Sequence, residues 1–115
     1  MLVSDPAKSL DVVKALADSY SRKILFSTIS KSSSIEEISQ QMHIPISTCY
    51  RKMQSLESSG MMRRDKTIID DHGKKLVLYL SILKNATINF GSEEEISVEV
   101  SLNGNLELDS LILAP

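Results

Sequence analysis

The chain of 115 residues holds one cysteine, no tryptophan, and only three tyrosines and two phenylalanines. A single cysteine cannot close an intramolecular disulfide, and no Cys/His cluster has metal-site spacing, His43 and His72 standing far apart with no neighbouring ligand set. A disulfide scaffold and a metal centre are therefore not expected. With so few aromatic residues, the core must be aliphatic, built from Leu, Ile, Val and Met. The first residues, "MLVSDPAKSLDVV", contain no apolar run of signal-peptide length, and no later run approaches a membrane span. These absences predict a cytoplasmic protein with no membrane partner. No Ser/His/Asp or Cys/His arrangement and no glycine-rich phosphate loop is present, so neither an enzyme nor a cofactor is expected.

Net charge is nearly balanced at −2, but its distribution is uneven. Residues 1–46 are neutral. Residues 47–75 hold seven Lys or Arg against four acids, and residues 76–115 hold one Lys against six acids. The overall acidity thus says little about nucleic acid, whereas the middle third leans towards it.

Asp5 and Pro6 resemble an N-cap and a first-turn proline. Leu10, Val13, Leu16 and Ala17 then form a helical stripe, and a second helix is predicted over residues 21–30. Ser34 stands three residues before Glu37, the capping-box spacing, ahead of a short helix whose apolar face is Ile35, Ile38 and Met42. Pro45 disfavours helix at Ile44 and opens the next helix, predicted over residues 45–59 and stopped by Gly60.

After Gly60 the hydrophobic period changes to alternation. Residues 76–83 read as a strand, with Met62–Ile69 as hairpin partner across "DDHGKK". Ala86, Ile88 and Phe90 continue the alternation to "GSEEE", where a solvated turn is favoured over a cation site. Residues 96–102 form a further strand before "NGN". A three-residue loop there would set Leu102 opposite Leu106 and Val100 opposite Leu108, matching apolar faces. The final "SLILAP" is apolar enough to be buried.

Two short helices joined by a tight turn, followed by a basic hairpin, make a winged helix-turn-helix. "ALADSYSRKILFSTIS" and "SIEEISQQMHIPISTCYRKMQSLESSGMM" resemble segments of the arsenical-resistance-repressor (ArsR)-type winged-helix regulators. Leu16, Ala17, Asp18, Arg22, Ile24 and Leu25 match that family's "LADPTR-x-x-IL" pattern. Leu56, Gly60 and Met61 match the "L-x-x-x-GL" that closes its recognition helix. The likeness spans about residues 8 to 83 and implies a transcriptional regulator that binds double-stranded DNA. Family members commonly end in a helix that helps form the dimer, whereas this chain ends in strands.

The expected fold class is therefore α+β: a winged helix-turn-helix in residues 1–83, with four N-terminal helices and a β-hairpin wing. Residues 84–115 form a β-rich extension of antiparallel strands, packed on the same domain or at a dimer interface. On a 100° wheel with Cys49 at zero, Met53, Leu56 and Gly60 fall within about 40°, a core stripe. Cys49 reads as a small buried hydrophobe rather than a sensory thiol, since the metal-sensing relatives use clustered cysteines. Ser47, Tyr50, Arg51 and Gln54 lie on the opposite side and are the expected DNA-binding residues of this helix, although Tyr50 at its angle could border the core instead of reaching the DNA. A groove-entering helix reads bases through its outward N-terminal residues, so Arg51 could pair with guanine and Gln54 with adenine. Ser47 and Thr48 could reach phosphate or base edges.

In the wing, Arg63, Arg64, Lys66, Lys74 and Lys75 bracket the turn and are expected to meet phosphates. Asp70 and Asp71 would repel phosphate from the tip itself, so the strand bases are expected to bind. His72 is expected to be a turn residue. A homodimer through the first helix, the C-terminal strands, or both would supply two half-sites. The rival reading is a winged helix used for protein–protein contacts within a larger assembly, which the acidic C-terminal third favours. The sequence supplies no effector site.

Overall fold

The capping and periodicity expected over residues 34–62 recur closely in the computed structural model, which describes residues 2–3, 6–90, 96–102 and 108–113. Its elements are β1 (Leu2–Val3), α1 (Pro6–Ala17), α2 (Ser19–Ser27), α3 (Ile35–Met42) and α4 (Ile46–Ser58). These precede β2 (Met62–Ile69), β3 (Lys75–Ser81), β4 (Leu83–Phe90), β5 (Ile96–Leu102) and β6 (Leu108–Leu113). The chain is α+β, with four helices followed by an antiparallel β2–β3 hairpin, a layout compatible with a winged helix.

Helix α1 begins at Pro6, while the expected cap Asp5 lies outside the described residues. Its buried stripe differs from the expected one. Val12 and Ala15 are buried, Val13 and Leu16 pack at the margin, and Leu10 is 46% exposed. The apolar face of α1 is broad, and contact with both α2 and β6 selects the Val12 side of it.

Helix α2 starts earlier than expected because Asp18 caps it, and it stops at Ser27, where Thr28 N–H turns back to the Leu25 carbonyl at 3.2 Å. The backbone N–H and hydroxyl of Ser21 both donate to Asp18 Oδ2 at 2.8 Å. Arg22 Nη1 donates to the Leu16 carbonyl at 2.8 Å, fixing the end of α1 against α2. Ser34 caps α3 as its spacing suggests, its hydroxyl accepting from Glu37 N–H at 3.1 Å.

The α3–α4 turn passes through His43, whose φ of 55° is left-handed. Ile44 is buried, its N–H donating to the Ser39 carbonyl at 3.0 Å while the Ser39 hydroxyl donates to its carbonyl at 2.6 Å. With Ile24, Ile38, Cys49, Met53 and Leu56 all nearly inaccessible, the interior is one aliphatic cluster beneath α4. Gly60 takes φ of 81° and Met61 N–H donates back to the Leu56 carbonyl at 3.0 Å, closing α4.

The single strand expected over residues 76–83 divides at Ile82. Ile82 N–H donates to the Met61 carbonyl at 2.9 Å, and the chain leaves the hairpin to begin β4 in a second sheet. That sheet has the order β1-β6-β5-β4, with β1 parallel to β6 and the other pairings antiparallel. Leu2–Val3 was not expected as a strand; two residues carry no readable period.

The expected register across "NGN" is overturned. Val98 stands opposite Leu111, Val100 opposite Asp109 and Ser101 opposite Leu108. Aligning Ile96 and Val98 with Leu113 and Leu111 takes precedence over matching residues next to the turn. The loop itself, residues 103–107, and the "GSEEE" turn, residues 91–95, lie outside the described residues. Among the described residues no helix is long and apolar enough to cross a membrane, and no cluster of metal-ligating side chains occurs.

Candidate nucleic-acid interface

One side of α4 is sealed and the other is open. Cys49, Met53 and Leu56 are at most 1% exposed, whereas Tyr50, Arg51 and Gln54 face solvent. Between that outer face and the hairpin runs a groove of about 550 Å³, lined by Ser47, Tyr50, Arg51, Gln54, Glu57, Arg64 and Tyr79 among others. Five residues singled out from the sequence (Ser47, Tyr50, Arg51, Gln54 and Arg64) thus share one surface. Thr48 is half-buried and does not line it.

The remaining hairpin cations are divided by a bulge at Asp65. Arg64 stands opposite Tyr79, but Lys66 stands opposite Leu78. Cross-strand partners share a face, so Arg64 and Lys75 lie on the Tyr79 face, and Arg63 and Lys66 on the other. Simple alternation would have placed residues 64 and 66 together; the extra residue separates them. Every residue of β2 after Met62 is exposed, so both faces are open.

Several of these groups are already engaged. Tyr50 Oη donates to Glu36 Oε1 at 3.1 Å, and Lys74 Nζ lies 3.6 Å from the same oxygen. Arg64 Nε donates to Glu57 Oε2 at 3.0 Å, with its guanidinium 5.9 Å from the Tyr79 ring centre. Arg63 pairs with Asp65 at 3.5 Å. Among the described residues, Arg51, Lys66 and Lys75 have no ion-pair partner. Burial pushes the Glu36 carboxyl upward, but its own backbone N–H, the Tyr50 hydroxyl and Lys74 outweigh that and leave it below the usual carboxylate range. The bond to Glu36, and then its charge, raise the Tyr50 phenol.

The hairpin tip is built by Asp70, whose Oδ1 accepts the N–H of His72 at 2.9 Å and of Lys74 at 2.8 Å. That carboxylate is therefore occupied by the turn, and Gly73 supplies the positive φ the turn needs.

Glu36, Glu57 and Tyr79 were not among the residues expected at the site. Glu36 reads from sequence as a first-turn acid complementing the helix dipole, and its contact with Tyr50 is a tertiary one that spacing does not encode. Lys52 was also missed as a positioning residue. Its Nζ lies 3.3 Å from Asp18 Oδ2, tying α4 to the α1–α2 junction.

Asp18 therefore caps one helix and anchors another. Burial pushes its carboxyl up, yet the Ser21 bonds and Lys52 bring it below 3.8. A carboxyl lowered in the folded state stabilises fully above its unfolded value and loses that contribution as pH falls through the folded one. Asp18→Ala should cost about 1 kcal/mol at pH 7, and less at pH 2. Denaturant midpoints at both pH values check this; an equal loss at both would contradict it.

Cys49 is fully buried, with its thiol 3.7 Å from the Ile35 carbonyl. Burial, and secondarily the charge of Glu36, raise its pKa. A thiolate-specific reagent at neutral pH should leave the native protein unmodified and titrate one thiol on denaturation. Rapid labelling of the native chain would restore Cys49 as a candidate sensor.

Compared with known proteins, the chain matches no family model and no curated sequence. Its surface must be interpreted from its own chemistry.

Proposed function

We propose that this protein is a sequence-specific, double-stranded-DNA-binding transcriptional regulator of winged-helix type, akin to the ArsR-type regulators its sequence resembles. The observation that carries the reading is the sealed-and-open character of α4. A helix of 13 residues, about 20 Å long, presents Ser47, Tyr50, Arg51 and Gln54 on one flank beside a cationic hairpin. Such a helix fits the B-DNA major groove, about 12 Å wide, and carries side chains able to address base edges. Arg51 and Gln54 read bases, Ser47 contacts phosphate, and Lys75 with Lys66 clamp the backbone from the two faces of the hairpin. Pairing as a homodimer in the cytoplasm, the protein would address two half-sites.

Exposed Ile68 and Ile69 on the hairpin, the latter 68% accessible, favour a second reading, in which the hairpin docks onto another protein. Selection of bound fragments from sheared genomic DNA by the purified chain separates the two. Enrichment of fragments sharing a sequence motif supports the regulator; recovery of no duplex at low salt supports the docking module.

A further inference from the structure

Beside the outer face of α4 stands an acid, where a phosphate-binding surface would be expected to carry none. Glu36 belongs to α3, yet its carboxylate reaches both Tyr50 on α4 and Lys74 at the base of the hairpin turn, through one oxygen. The three groups come from α3, α4 and the hairpin turn, and Glu36 remains 38% exposed in its side chain, beside the Tyr50 that lines the groove. An exposed ion pair of this kind adds little stability. Its position gives it another consequence: any phosphate that comes to Lys74 competes with Glu36 and meets its charge.

We propose that Glu36 is a specificity-determining residue, an anionic gate that occupies Lys74 and Tyr50 until a duplex displaces it. The inference rests on the DNA-binding reading. A non-cognate duplex gains only phosphate contacts, and these are what Glu36 opposes. A cognate duplex is held in register by base contacts with Arg51 and Gln54 and depends less on a phosphate at Lys74. The gate therefore lowers non-specific affinity more than specific affinity and widens the ratio between them, the quantity that governs site choice in a genome. Glu57 holds Arg64 in the same way further along the groove, so a second cation beside the reading residues is withheld from phosphate.

The test measures binding of the full chain to a selected site and to an unrelated duplex of equal length, from 50 to 200 mM salt. Glu36→Gln should tighten binding to the unrelated duplex by about fivefold at low salt, less for the selected site, and steepen its salt dependence by about one unit of slope. Lys74→Ala should change wild-type affinity by less than about twofold, but should weaken Glu36→Gln by about fivefold, because only there does Lys74 reach phosphate unopposed. If Glu36 is merely structural, Glu36→Gln weakens both duplexes alike, and that result overturns the proposal. Lys74→Ala in the wild type provides a second check that requires no change at Glu36: a loss as large as that of Lys75→Ala also overturns it. Failure of the wild type to bind any duplex removes the DNA-binding reading itself. Wild-type binding with an unaltered Glu36→Gln removes the gate alone.

Discussion

Arg51→Ala should weaken binding to a selected duplex by about 1–3 kcal/mol, roughly five- to 150-fold, and relax preference at one base pair of each half-site. Arg51 lies in the N-terminal half of α4, is exposed, and lines the groove beside Gln54. Among the described residues it has no ion-pair partner, so its guanidinium can turn to a guanine edge without first breaking a contact. A bidentate bond of that kind discriminates against other bases because the wrong pair leaves its donors unmatched. The fold should tolerate the change, since an exposed helix position outside a network moves stability by less than about 0.5 kcal/mol. Titration of the variant against the selected site and its single-base variants checks this. Unchanged affinity and unchanged preference would remove Arg51 from the reading set.

Leu56→Ala should destabilise the protein by about 2–5 kcal/mol. Leu56 is 1% exposed and belongs to the aliphatic cluster with Ile24, Ile38, Cys49 and Met53. Truncation leaves a void under the C-terminal half of α4, where the Leu56 carbonyl also receives the N–H of Met61. That loss is a large part of the roughly 5–15 kcal/mol a small domain possesses, and corresponds to a fall in melting temperature on the order of 10 °C. Chemical denaturation should show a lower midpoint with an unchanged slope. Ser55→Ala, one residue away on the exposed side, is the control and should change stability by less than about 0.5 kcal/mol. Equal effects at the two positions would contradict the assignment of α4's faces.

Residues 34–62 were the most legible in sequence. Ser34, Pro45 and Gly60 act locally, each through a few backbone groups, and the Cys49–Met53–Leu56 stripe follows from helix period alone. Legibility failed where tertiary contact decides. Which stripe of α1 is buried depends on α2 and β6, so Leu10 was expected inside and Val12 was not. The bulge at Asp65 reverses the face of every later residue in β2, and no residue there announces it. In the site, Ser47, Arg51 and Gln54 could be placed on one flank by angle. The carboxylates of Glu36 and Glu57 could not, because they meet Tyr50 and Arg64 only after helices and hairpin come together.

The most direct test of the central claim is the affinity of the purified chain for a duplex recovered by genomic selection, measured as salt is raised from 50 to 200 mM. With Arg51, Lys66 and Lys75 available to phosphate or base, log affinity should fall linearly with log salt, with a slope of about −2 to −3 per protomer. A duplex of scrambled sequence should bind more weakly. The absence of binding at 50 mM salt, or binding indifferent to both salt and sequence, would contradict the assignment of α4 and the hairpin as a DNA-reading surface.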